Sequence, residues 1–113
     1  MKFIQNYRTF REIKSALEAQ ATEINFSTNS DAFIEDMDEQ LVESYGISVP
    51  FPGKNSNVAK KDVCLMKIDN LFFSDFSVKI NGEETGLSER RARKLYEMAR
   101  MAKARRTKIE KVM

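Results

Sequence analysis

The stretch VCLMKIDNLFFSDFSVKING, residues 63–82, decides the fold class. From Val63 to Ile68 the residues are apolar on both faces apart from Lys67, the pattern of a central strand. Asp69-Asn70 supplies a tight turn, and Leu71 to Ile80 then alternates. Phe72, Phe76, Val78 and Ile80 face one way, while Asp75, Ser77 and Lys79 face the other. Asn81-Gly82 ends the unit. An antiparallel hairpin in a chain that also carries helical patterns predicts an α+β fold. The expected architecture is a small, mostly antiparallel sheet with two amphipathic helices on one face and a long basic C-terminal helix.

Working toward the N-terminus, residues 47–60, with Pro50, Pro52 and Gly53, read as a long loop, because the two prolines forbid regular helix and central strand. Phe51, between the two prolines, is a candidate anchor for a protein partner. Before it, Phe33, Ile34, Met37, Leu41 and Tyr45 recur at three- and four-residue steps. That spacing predicts a helix over 31–45, opened by Ser30 or Asp31 and stopped by Gly46. Its outer face would be acidic, carrying Glu35, Asp36, Asp38, Glu39 and Glu43. Ser27-Thr28-Asn29-Ser30 is turn chemistry, and residues 22–27 alternate as a half-buried strand. Phe10, Ile13, Leu17 and Ala21 mark a helix at 10–20, with Thr9 and Glu12 spaced as a capping box. Residues 2–5 read as a short strand.

Working toward the C-terminus, nothing breaks a helix from about 88 to 111, and Ser88 is placed to cap it. Between Ser88 and Met113 lie ten cations and three acids, a net +7, whereas the first 87 residues hold nine cations and fourteen acids. The overall net charge of +2 therefore hides a strong polarity. On a helical wheel Ala92, Leu95, Met98, Ala99, Ala102 and Ile109 form an apolar sector. Arg90, Arg93, Lys94, Arg100, Arg105 and Lys108 fall on the other side. Guanidinium groups suit phosphates and carboxylates alike, so these six are the candidate contacts for nucleic acid or another anionic partner.

With 113 residues and 13.1 kDa, the chain suits one domain. Residues 1–87 are expected to form a compact α+β body and 88–113 a basic helix of the same domain. No apolar run approaches the ~20 residues of a membrane span, and the opening residues lack the pattern of a secretory signal. One cysteine excludes a disulfide framework and points to a reducing compartment, here the cytoplasm. The chain has no histidine, the commonest general base and metal ligand. Cys64 sits in an apolar strand pattern with no base to activate it. No phosphate-binding loop, dinucleotide fingerprint or nucleophile elbow is present, and the four glycines stand apart. No catalytic residue, metal or cofactor is expected.

The sequence thus points to a non-catalytic accessory or regulatory binding protein whose basic helix contacts nucleic acid or a nucleic-acid-handling complex. A protein–protein inhibitor or adaptor is the alternative, engaging its partner through Phe51, Glu35, Asp38 and Glu39. In that reading the acidic helix 31–45 mimics a phosphate backbone. A third expectation is self-association as a homodimer, the basic helix of one copy lying on the acidic helix of another.

Overall fold

The computed structural model describes residues 2–19, 23–32, 39–52, 58–70 and 72–112, with side chains defined for 6–19, 23–28, 41–51, 60–70 and 72–105. The order is α1 (Lys2–Ala19), β1 (Asn25–Ala32), β2 (Glu39–Pro52), β3 (Val58–Asp69), β4 (Ser74–Ile80), β5 (Glu83–Glu84) and α2 (Glu89–Val112). The strands form one antiparallel meander in sequence order. The fold is α+β, a five-stranded antiparallel sheet with two helices.

Side chains alternate across this sheet, so one set of positions meets the helices. Tyr45, Ile47 and Val49 of β2, Val63 and Leu65 of β3, and Val78 of β4 are buried there. Ile13 and Leu17 of α1 join them, as do Ala92, Leu95, Tyr96, Ala99 and Ala102 of α2, in a single core cluster. Both helices therefore cover the same face. The molecule measures 50 × 46 × 20 Å, and its least dimension matches one helix layer on one sheet.

The hairpin of β3 and β4 forms in the expected region, but β4 begins at Ser74. Asn70 is the cause: its side-chain oxygen accepts from the backbone N–H groups of Phe72 and Phe73, each at 2.9 Å. That cap turns the chain before the strand can start. Phe72 consequently lies outside the inner face and is 88% exposed, and Phe73 is 57% exposed. At the far end Asn81 and Gly82 both take positive φ, 50° and 83°, which matches the twist of a two-residue hairpin into β5.

Five expectations are corrected. Residues 2–5 belong to α1, and Thr9 lies inside that helix rather than at its start. The apolar spacing explains this, since Phe3 and Tyr7 continue the Phe10–Ile13–Leu17 stripe backwards with no glycine or proline between. Residues 27–30 are strand, paired with Ser44 to Leu41 of β2 rather than turning. Cross-strand contacts outweigh their turn propensity: the Ser27 and Ser44 hydroxyls lie 2.9 Å apart, and the Phe26 and Tyr45 rings lie 5.0 Å apart.

The helix expected over 31–45 is not formed at its described positions: residues 31–32 end β1 and 39–45 open β2, while 33–38 lie outside the described residues. At its described positions the loop expected over 47–60 is strand, with 47–52 in β2 and 58–60 in β3, while 53–57 lie outside the described residues. Two prolines fit there because of parity. Asp62 exchanges hydrogen bonds with Asn81 on the β4 side, so even-numbered residues of β3 face β4. Their partners in β2, Pro50 and Pro52 included, present their nitrogen away from β3. Among the described residues no strand pairs with that edge beyond Gly46, where the β1 pairing ends. The missing N–H groups break no ladder.

Candidate anionic-partner interface on the C-terminal helix

The start of α2 is set by Ser88, whose hydroxyl accepts from the Arg91 N–H at 3.3 Å and whose carbonyl accepts from the Ala92 N–H at 2.9 Å. Upstream, the Asn6 amide of α1 donates to the Gly86 carbonyl at 3.3 Å and ties the two helix starts together. From there the helix lays Ala92, Leu95, Tyr96, Ala99 and Ala102 on the sheet. Small side chains at three of those five positions let the backbone approach closely. The core-facing arc is rotated from the apolar sector read in the sequence, because Tyr96 is inside it.

Tyr96 is among the largest fully buried side chains, and its hydroxyl donates to Glu43 at 2.9 Å. Glu43 had been expected on an acidic outer helix face. It stands instead on the inner side of β2, half-buried. Around this link the rings of Phe26, Tyr45, Tyr96 and Phe76 follow one another at centroid separations of 5.0, 5.1 and 5.6 Å. Burial pushes the Tyr96 phenol far above its ordinary value, and the hydrogen bond to Glu43 adds to the effect. Burial raises the Tyr45 phenol too, helped by the Glu43 charge.

Raised phenol values make stability depend on alkaline pH. Protons held more tightly in the fold stabilise it fully below about pH 10, the ordinary tyrosine value. Above that pH the unfolded chain releases them first, and stability falls as pH rises. Urea midpoints should therefore drop between pH 9 and pH 11, and Tyr96→Phe should reduce the size of the drop. Identical drops in the two proteins would remove Tyr96 from the account.

The solvent side of α2 carries the candidate contacts. Arg90, Arg93, Lys94, Arg100 and Arg105 are all exposed. Arg100 is engaged by its own chain, with Nη2 2.8 Å and Nε 2.9 Å from Glu97 Oε2. Arg93 lies over the Phe76 ring, its guanidinium carbon 5.7 Å from the centroid. Among the described residues no carboxylate pairs with Arg90, Arg93, Lys94 or Arg105. Lys108 belongs to α2, but its side chain lies outside the described set.

The alternative contacts fare differently. Phe51 is a strand residue, half-buried against the core, with Lys61 Nζ 5.0 Å from its ring centroid. Glu35 and Asp38 lie outside the described residues, and Glu39 is the first residue of β2. Residues 31–32 and 39–45, parts of the helix expected to mimic phosphate and to receive a second copy, are strand instead, and 33–38 lie outside the described residues.

One arrangement was missed in the sequence. Arg91 approaches two rings of α1, its guanidinium carbon 5.7 Å from the Tyr7 centroid and 5.5 Å from that of Phe10. The signal was there in part, since Tyr7 and Phe10 share a helix face, but no local spacing links them to residue 91. Among the described residues no group of three or more His, Cys, Asp or Glu could hold a metal, and no helix is long and apolar enough to cross a membrane. No family model, curated protein or solved structure matches the chain.

Proposed function

We propose that this protein is a non-catalytic accessory or regulatory module that binds nucleic acid, or a nucleic-acid-handling complex, through the outer face of α2. One observation carries the reading: Arg90, Arg93, Lys94 and Arg105 are exposed on that face with no carboxylate partner among the described residues. Desolvating fixed cations without partners is costly, so such a face is stable against water or against something anionic. Phosphates satisfy that requirement without demanding a sequence, and each contact releases condensed counterions.

The test is the salt dependence of binding to a labelled oligonucleotide. With about four phosphates neutralised, affinity should fall roughly a hundredfold between 50 and 200 mM salt. Arg93→Ala should weaken all base sequences equally and reduce the logarithmic salt slope by about one. A slope near zero would remove phosphate contact as the basis of binding.

A further inference from the structure

At the start of α2 the basic face runs into exposed aromatic surface. Tyr7 of α1 is 52% exposed, and the half-buried Arg91 approaches both it and Phe10. Phe10, Ser88, Arg90, Arg91 and Lys94 line an open cavity of about 510 Å³, within the ~300–1,000 Å³ of small-molecule clefts, and Arg91 links its wall to the Tyr7 ring.

We infer that Tyr7 is a stacking platform for an unpaired base, with the adjoining phosphates carried by Arg90 and Lys94, so that the preferred ligand is single-stranded nucleic acid. The inference rests on the nucleic-acid reading above and narrows it. The cation–π contacts to Arg91 hold the aromatic pair against α2 and fix the Tyr7 ring before a ligand arrives. A duplex keeps its bases stacked on each other and offers this ring nothing. A single strand presents a π-face at every nucleotide, and cations beside an aromatic suit its alternation of phosphate and base.

The chain itself supplies the probe. It has no tryptophan, and Tyr45 and Tyr96 are buried at 6% and 1% exposure, which leaves Tyr7 as the tyrosine open to a quencher. Titration of the full chain with an oligothymidylate of about 16 nucleotides should quench tyrosine emission, whereas a duplex of equal length should not. Tyr7→Ala should weaken single-strand binding about tenfold and leave duplex binding nearly unchanged. Tyr7→Phe should restore the affinity, because the ring and not the hydroxyl stacks.

If Tyr7→Ala changes nothing while Arg90→Ala and Lys94→Ala weaken binding, the stacking inference fails and the phosphate reading survives. Equal losses on single strand and duplex also overturn it, by assigning Tyr7 a merely structural part. If the unmodified protein binds neither oligonucleotide, both readings fall together.

Discussion

Replacing Tyr96 by alanine is expected to cost about 3–5 kcal/mol of folding stability, the range for deleting a fully buried aromatic ring. Tyr96 is 1% exposed and lies between Tyr45 and Phe76 where α2 crosses the sheet. Its removal empties the junction of strands β2 and β4 with the helix and strips Glu43 of its donor. A domain of this size has roughly 5–15 kcal/mol in total, so the loss brings the protein close to unfolding. Tyr96→Phe keeps the ring and deletes the bond to a half-buried carboxylate, for about 1–3 kcal/mol. Urea unfolding of the three proteins measures both steps. A change below about 1 kcal/mol for Tyr96→Ala would show that α2 is not held to the sheet in this way.

The second large effect is on binding. Arg90→Glu/Lys94→Glu/Arg105→Glu should reduce affinity for nucleic acid about a thousandfold near 0.1 M salt, because each lost phosphate contact is worth roughly a decade there. The new carboxylates repel the backbone and deepen the loss. Folding should be nearly untouched, since all three positions are exposed. A glutamate at 90 also falls in the first turn of α2, where the helix dipole favours a negative charge. Lys60→Glu/Lys79→Glu, on strands β3 and β4 and outside α2, is the control for net charge. Comparable losses from the control would make the effect one of overall charge, with no site on α2.

What could be read from the sequence divides by the range of the interactions. The β3–β4 pair and α2 were legible because alternation, turn residues and helix formers all agreed within each segment. The stretch 39–52 was not, because two periods compete in it. Leu41 and Tyr45 fit a helical stripe running from Phe33, yet Leu41, Tyr45, Ile47, Val49 and Phe51 also alternate with a period of two. Glu43 interrupts the second pattern and conceals it. The interruption makes physical sense only once Tyr96, 53 residues away, is seen to donate to it. The prolines misled for a similar reason: they exclude a strand hydrogen-bonded on both sides, and among the described residues only β3 pairs with this part of β2. At the candidate interface the cations were legible as a helical face. The rings of Tyr7 and Phe10 beside Arg91 were not, since that contact joins the two ends of the chain.

The placement of Pro50 and Pro52 has a consequence for how copies of this molecule coexist at high concentration. A bare strand margin is a template on which foreign chains can polymerise into fibrils. Over residues 47–52 the outward row of amides lacks two of its donors, so an incoming strand meets a surface that cannot complete a continuous ladder. The two prolines thus act as gatekeepers, guarding against aggregation along the part of β2 that β1 does not pair.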